Sequence, residues 1–139
     1  MKIDKDKIIT DLLEEHPIHE LVKFSDLDLQ EKLKDNSFMI TKYQDLYDRE
    51  KFRYEELEDL YDKLAGIRYD YYRFEIDKNL QKIEIEKYYL PKDAKMVKMK
   101  RILRRQEVKV RFFELCVKGF INQGWRMKTW VDNARLGGY

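Results

Sequence analysis

Apolar residues recur at alternating steps of three and four over two long stretches of the chain. The first stretch covers about residues 38–73, and its repeat is carried by Ile40, Tyr43, Tyr47, Tyr54, Leu57, Tyr61, Leu64 and Tyr71, with Glu50 and Arg68 in the same register. The stripe is widened by Leu46, Leu60, Ile67 and Phe74. A seven-residue repeat with so broad a seam predicts an amphipathic helix packed in a bundle.

The second stretch covers about residues 91–121 and has a different character on each side. Its seam consists of Met96, Met99, Leu103, Val110, Phe113, Val117 and Phe120, with Gln106 in register. The opposite side begins basic, with Lys98, Arg101, Arg104 and Arg105, and becomes apolar at Val108, Phe112 and Leu115. A helix that is apolar all round must be enclosed. We therefore expect the basic half to face solvent or a ligand, and the later half to lie in a core or a subunit interface.

Shorter patterns flank the two long helices. Residues 4–15 predict a short amphipathic helix that Pro17 ends or bends. A second short helix is expected to start near Ser25, where S-D-L-D resembles a capping box, and to stop before the D-N-S break at 35–37. Residues 75–90 fit strand or helix. Gly124 is expected to end the second long helix before a terminal helix at 126–136, and Gly66 to mark a close backbone approach or a bend.

Composition agrees with an all-α fold of two long amphipathic helices. The chain has 139 residues with 40% charged, only five Gly and two Pro, which disfavours a turn-rich β fold. The charge is asymmetric, because residues 95–139 hold 12 Lys/Arg and 3 Asp/Glu whereas residues 1–94 hold 17 and 24. We divide the chain into an acidic, partner-directed region at 1–36, a long-helix core at 37–124 and a C-terminal oligomerisation segment at 125–139.

Several classes of function lack their usual sequence signals. His16 and His19 flank Pro17, but no third ligand cluster with suitable spacing follows, so no metal site is predicted. Cys116 has apolar neighbours and is expected to be a packed thiol in a reducing compartment. There is no phosphate-binding glycine loop or nucleophile elbow, which favours a protein without catalysis or cofactor. Neither a signal peptide nor a membrane span is predicted, which indicates a cytoplasmic protein.

A basic helix and a tyrosine cluster give the strongest functional signal. Residues 95–111 are densely basic, and residues 67–72 read I-R-Y-D-Y-Y. Aromatic rings beside cations can stack unpaired bases and hold phosphates. The candidate nucleic-acid contacts are Lys63, Arg68, Tyr69, Tyr72, Arg73, Lys98, Arg101, Arg104 and Arg105. The alternative interpretation is a solvated basic face, with the seam residue Arg68 paired to an acidic neighbour.

Three segments together resemble the UvsY family of phage recombination mediators. They are T-K-Y-Q-D-L-Y-D-R-E at 41–50, I-R-Y-D-Y-Y at 67–72 and G-W-R-M-K-T-W-V-D at 124–132. The resemblance covers about residues 38–139. Arg68 matches a basic residue of the family's DNA-contacting motif. The companion lysine of that motif is Gly66 here, and Lys63 or Arg73 is expected to substitute for it.

The resemblance implies a small helical protein that forms a ring-like homo-oligomer, a heptamer in the best-known member. Such a protein binds single-stranded DNA and helps load the phage recombinase onto strands covered by single-strand DNA-binding protein, in the host cytoplasm and without a cofactor. The residues expected to support oligomerisation are Phe112, Phe113, Val117, Phe120, Trp125 and Trp130.

Two other functions fit the same sequence. The first is a helical scaffold or assembly protein whose charged faces bind other proteins, and the acidic N-terminal region suits it equally well. The second is an RNA-binding helical protein. Binding of labelled oligo-dT at two salt concentrations, with RNA as competitor, would distinguish these functions from the mediator.

Overall fold

The computed structural model describes residues 3–137 and confirms the all-α fold, since that part of the chain contains no strand. Two long helices, α3 (Leu29–Asp70) and α5 (Ala94–Leu136), form an antiparallel pair. Two short helices precede the pair, α1 (Lys5–Glu15) and α2 (Ile18–Leu21). The connection between the long helices is a chain of helical turns: a π-helical turn Tyr71–Ile76, α4 (Lys82–Glu84), a second π-helical turn Ile85–Tyr89 and a 3₁₀ turn Leu90–Lys92.

The predicted seam is the contact between α3 and α5. Tyr43 of α3 is buried against Phe113 and Phe120 of α5, with ring centroids 6.3 and 5.2 Å apart respectively. Two of the three polar residues in the seam pair with each other, because the Gln106 amide donates to the Glu50 backbone carbonyl at 2.9 Å and to the Glu50 carboxylate. A buried polar group in such a seam is tolerated only when it is hydrogen-bonded.

The N-terminal helices cover part of the second apolar side of α5. Leu12 of α1 is buried with Tyr43 and Phe113 in one core cluster. Ile9 and Leu13 of α1, with Ile18 of α2, line a groove of about 560 Å³ whose other wall includes Val108 and Phe112 of α5. Val108 and Phe112 of that side are buried within the protomer, but Leu115 is 65% exposed, so the predicted enclosure of the later half of α5 is only partial. Leu12, from the predicted acidic region, belongs to the core.

The residues expected to support oligomerisation separate into two groups. Phe112, Phe113, Val117 and Phe120 are buried within the protomer. Their apolar character is accounted for by the contacts with α1 and α3, without a second copy of the chain. Trp125 and Trp130 are 64% and 46% exposed, so they are available to a partner.

Two predicted helix boundaries are wrong, and one contact explains both. The D-N-S segment at 35–37 lies inside α3, because the Asn36 amide donates to the Phe120 carbonyl at 2.8 Å and to Gln123 Oε1 at 3.2 Å. Gly124 does not end α5, which continues to Leu136. A Cβ at Gly124 would lie 2.7 Å from Asn36 Oδ1, so the glycine allows the two helices to approach. Gly66 has nothing within 4 Å of its Cβ position, so a close approach there is also wrong.

Two other local predictions are confirmed and one is wrong. The short helix predicted over 4–15 is α1, which begins after Asp4 and ends before Pro17. The second short helix predicted from Ser25 does not exist as a separate element. At the S-D-L-D turn the Ser25 N–H donates to Asp28 Oδ1 at 2.6 Å, but the helix begins only at Leu29, as the start of α3. Cys116 is buried, and burial raises the pKa of its thiol to about 12, as expected for a packed thiol. None of the helices within residues 3–137 is long and apolar enough to cross a membrane.

Candidate nucleic-acid interface

The first half of α5 carries an exposed row of cations. Lys98, Arg104 and Arg105 are exposed and Arg101 is half-buried. From Lys98 to Arg105 the row extends about 10 Å along the helix axis. The nearest carboxylates of α5 pair with other cations, since Glu107 holds Arg111 at 3.4 Å and Glu114 holds Lys118 at 3.1 Å. Within residues 3–137, no carboxylate forms a salt bridge with Lys98, Arg104 or Arg105.

A groove between α3 and α5 begins beside this row. It has a volume of about 510 Å³. Arg101 and Arg104 form part of one wall together with Lys100. The remaining lining residues come mainly from α3 and from the connection before α5, and they are Tyr61, Ala65, Glu86, Leu90, Pro91, Met96 and Val97. A concavity with cations on one wall and an aromatic ring on the other suits a nucleic-acid strand.

Arg68 is placed in an internal ion pair. Its Nε and Nη2 atoms donate to Asp93 Oδ2 at 2.9 and 2.8 Å, and its side chain is 15% exposed. The guanidinium also lies over the ring of Tyr71, with Cζ 4.2 Å from the ring centroid. The structure thus brings the seam arginine to an acidic neighbour, as the alternative interpretation of the sequence expected, rather than to the α5 row.

Asp93 joins the two long helices at this end of the molecule. Its Oδ1 atom caps α5 by accepting from the N–H groups of Lys95 and Met96, at 3.1 and 3.0 Å. Its Oδ2 atom accepts from Arg68 and from the Tyr72 hydroxyl, the latter at 2.7 Å. We call Asp93, Arg68 and Tyr72 the Asp93 bracket. One carboxylate therefore fixes the end of α3, the π-helical turn and the start of α5.

The protonation states of the bracket favour its hydrogen bonds at neutral pH. Burial would raise the pKa of the Asp93 carboxyl, but the hydrogen bonds from Tyr72, Arg68 and the Met96 N–H outweigh it and lower that pKa. The hydrogen bond to Asp93 raises the pKa of Tyr72, and burial adds to it. The same carboxylate raises the pKa of Arg68. Asp93 is therefore ionised while both of its side-chain donors keep their protons.

The other predicted contact residues do not form a single site. The Arg73 Nη1 donates to the Leu80 carbonyl at 2.6 Å, so this side chain stabilises the turn that follows α3. Lys63 is exposed on α3 and Tyr69 is half-buried. Among the nine predicted residues, Arg101 and Arg104 line the groove between α3 and α5, whereas Arg105 lines a separate groove beside Asp11 and Glu15 of α1. Arg68 and Tyr72 are joined in the bracket.

Sequence reasoning missed a second pair of adjacent tyrosines. Tyr88 and Tyr89 line a cleft of about 540 Å³ together with Tyr72, Glu84 and Lys92. The signal was present, since Tyr88-Tyr89 repeats the Tyr71-Tyr72 doublet and follows Lys87. It was not recognised because residues 75–90 have no clear helical or strand period.

His16 belongs to an aromatic cluster. Its Nδ1 atom lies 3.1 Å from the Tyr43 hydroxyl, and its ring meets that of Phe113 edge-on at 5.2 Å between centroids. The part of the chain that the structure describes contains no group of three or more His, Cys, Asp or Glu side chains that could hold a metal ion. His16 therefore has a packing role within the core.

The chain matches no protein-family model, no curated protein and no solved structure.

Proposed function

We propose that this protein binds single-stranded DNA through the basic row of α5 and acts as a recombination mediator. The observation that carries the proposal is the row itself, in which Lys98, Arg104 and Arg105 are exposed and form no salt bridge within residues 3–137. Phosphate groups are the ligands that such a row favours, because binding releases the counterions condensed on the strand. The sequence resemblance to UvsY-type mediators gives the row a biological role.

The mechanism is binding rather than catalysis. One row of this length contacts only a few phosphates, so a single protomer binds weakly. A ring-like homo-oligomer repeats the row, and linked sites raise the overall affinity without any new contact. A strand held along several protomers would be loosened from a single-strand DNA-binding protein and presented to the recombinase. The exposed Trp125 and Trp130 are the proposed contacts between protomers.

A matched pair of double variants tests the DNA-binding surface. Arg104→Ala/Arg105→Ala removes two cations from the row. Arg49→Ala/Arg53→Ala is the control, because these exposed arginines of α3 are already paired with Asp45 and Glu50. Fluorescence anisotropy of labelled oligo-dT over a salt series measures the affinity of each. We expect the α5 variant to bind more weakly and its log–log salt slope to fall by about 1.4, from about 0.7 per lost contact.

The outcome distinguishes specific binding from general attraction. Equal weakening in both double variants would indicate that net charge alone attracts the strand. Binding that does not respond to salt would contradict the proposal. The mediator role has its own assay, in which the rate of recombinase filament formation on strands coated with single-strand DNA-binding protein is compared for wild type and the α5 variant.

A scaffold or assembly function is the second candidate. The observation in its favour is the set of large apolar side chains left exposed along α3 and α5, among them Phe52, Leu60, Ile67, Ile121 and Trp125. Exposed apolar patches mark contacts between proteins. A folded oligomer, with its mass measured by light scattering, that binds neither oligo-dT nor a competing RNA would favour this function.

A further inference from the structure

The connection between α3 and α5 presents two tyrosine rings to solvent. Tyr88 is 56% exposed and Tyr89 is 38% exposed. Both lie in the second π-helical turn, Ile85–Tyr89, whose first residue is fully buried. Leu80, just before α4 in the same connection, is also buried. The turn is therefore anchored by apolar residues while its two tyrosines point away from the core.

A chain of ring contacts links these tyrosines to the Asp93 bracket. The rings of Tyr72 and Tyr89 are 5.4 Å apart between centroids, and the rings of Tyr71 and Tyr72 are also 5.4 Å apart. Tyr72 is fixed by its 2.7 Å hydrogen bond to Asp93. The contact with Tyr72 therefore fixes one side of the Tyr89 ring. The neighbouring Tyr88 has no ring contact with another aromatic residue among residues 3–137.

The charges around the cleft suit the base of a nucleotide better than its phosphate. Lys92 lines the cleft, and Lys87 Nζ lies 5.6 Å from the centre of the Tyr88 ring. The Glu84 carboxylate lines it too and would repel a phosphate placed inside. Phosphates are better accommodated in the adjacent groove, because its one carboxylate, Glu86, is outnumbered there by Lys100, Arg101 and Arg104. Leu90 and Pro91 line the same groove. Leu90 and Pro91 lie between Tyr89 and Lys92 in the chain, so cleft and groove adjoin.

We propose that Tyr88 and Tyr89 form a stacking subsite for unpaired nucleobases, beside the phosphate-binding row of α5. This inference rests on the proposed function and adds a second kind of contact to it. A strand whose backbone follows Arg101 and Arg104 would turn one or two bases into the tyrosine cleft. Stacking on aromatic rings tolerates any base sequence, since every base has a flat π face. The subsite thus favours single strands over duplexes, whose bases are already stacked.

The experiment compares two strands and two kinds of variant. The strands are a labelled oligo-dT and an oligonucleotide of the same length built from abasic tetrahydrofuran units, which keeps the phosphates and lacks the bases. The variants are Tyr88→Ala/Tyr89→Ala and Tyr88→Phe/Tyr89→Phe. Phe52→Ala is the control, because Phe52 is an exposed aromatic on α3 outside the cleft. Anisotropy over a salt series gives the affinity and the salt slope, and thermal unfolding with light scattering reports fold and mass.

We expect the alanine variant to bind oligo-dT about tenfold more weakly with an unchanged salt slope, because a stacked base but no phosphate contact is lost. The phenylalanine variant and Phe52→Ala should bind like wild type. Wild type and the alanine variant should bind the abasic strand equally. Because the Tyr89 ring contacts Tyr72, the double alanine variant also removes a contact with the Asp93 bracket. The single variant Tyr88→Ala is therefore included, since it leaves the ring contacts of Tyr71, Tyr72 and Tyr89 intact.

Three results would overturn the inference. If the alanine variant binds oligo-dT as wild type does, the cleft does not stack bases, and salt-dependent binding still supports the α5 row. If the alanine variant also binds the abasic strand more weakly, the tyrosines act by positioning the row. If wild type binds neither strand, the proposed function fails together with the subsite.

Discussion

The two ends of the α3–α5 pair are held together by different kinds of contact. At the end near α1, the rings of Tyr43 from α3 and of Phe113 and Phe120 from α5 pack together with His16, which follows α1, and Leu12 of α1 lies beside them. At the other end no third long helix covers the pair, and one ionised carboxylate, Asp93, fixes the helices to each other. The first end is stabilised by burial of apolar area, the second by directed hydrogen bonds.

This division separates stability from binding within one chain. Apolar burial contributes roughly 25 cal/mol per Å², so the packed end can supply most of the free energy of folding. The bracket end buries less and leaves Lys98 and Tyr88 exposed. A short network of hydrogen bonds keeps this end ordered while its surface stays polar and basic.

The largest effect is expected from Phe120→Ala. The Phe120 side chain is 1% exposed and packs on Tyr43, so its removal leaves a cavity under α3. We expect the free energy of unfolding to fall by about 3–5 kcal/mol. Urea unfolding followed by circular dichroism measures it. Phe52→Ala, at an exposed position of α3, should change the same quantity by less than about 0.5 kcal/mol. Similar losses in both variants would contradict a core concentrated at this end.

A smaller, pH-dependent effect is expected from Asp93→Asn. Asparagine can still cap α5, but it removes the charge that Arg68 and Tyr72 contact. At pH 7 we expect a loss of about 1–2 kcal/mol. The pKa of Asp93 is lowered in the folded state. The contribution of its charge to the free energy of unfolding is therefore complete above the ordinary carboxyl pKa of about 3.9, and it is lost as the pH falls through the lowered value.

The predicted direction of this pH dependence is tested by measuring the free energy of unfolding between about pH 7 and pH 2. The pH range follows from the ordinary and the lowered carboxyl pKa. Wild type should lose its advantage over Asp93→Asn below about pH 4, where the two curves converge. Asp70→Asn removes an exposed carboxylate from the same end and should leave the wild-type profile unchanged. A constant difference between wild type and Asp93→Asn down to pH 2 would show that the charge of Asp93 does not stabilise the bracket.

The smallest effects, opposite in sign, are expected from the two glycines. Gly66 lies inside α3 with open space at its Cβ position, so Gly66→Ala should stabilise the fold by about 1 kcal/mol through helix propensity. Gly124→Ala would place a methyl group 2.7 Å from Asn36 Oδ1 and disturb the two hydrogen bonds of that amide. We expect it to destabilise the fold by about 1 kcal/mol. The measurement is thermal unfolding. If both variants prove more stable than wild type, the close approach at Gly124 is contradicted.

The sequence predicts those features of the fold that depend on the spacing of apolar residues along a single helix. The seam positions of both long helices follow from steps of three and four, and even the polar seam residues Glu50, Gln106 and Arg68 were placed in register. Their partners could not be predicted, because pairing of Glu50 with Gln106 and of Arg68 with Asp93 depends on how the connection aligns the two helices. The spacing of apolar residues describes one helix at a time and does not show how two helices align.

The remaining errors occur where tertiary contacts override local preference. Asn36 and Gly124 are residues typical of helix ends, yet each lies within a helix because it contacts the other helix. The second apolar side of α5 suggested a core or a subunit interface, and only the position of α1 identifies the core. Tyr88 and Tyr89 were not recognised from the sequence, because their π-helical turn, Ile85–Tyr89, is too short to show a periodic pattern.

The position of the Asp93 bracket also affects the order in which the chain can assemble. Arg68 and Asp93 are 25 residues apart in sequence, whereas Asn36 and Gln123, at the packed end, are 87 apart. The entropy of closing a loop grows with the logarithm of its length, so first contact at the bracket costs about 1 kcal/mol less than first contact at the core. We therefore expect the helices to meet first at the bracket, which would make Asp93→Asn slow folding in stopped-flow experiments more than it speeds unfolding.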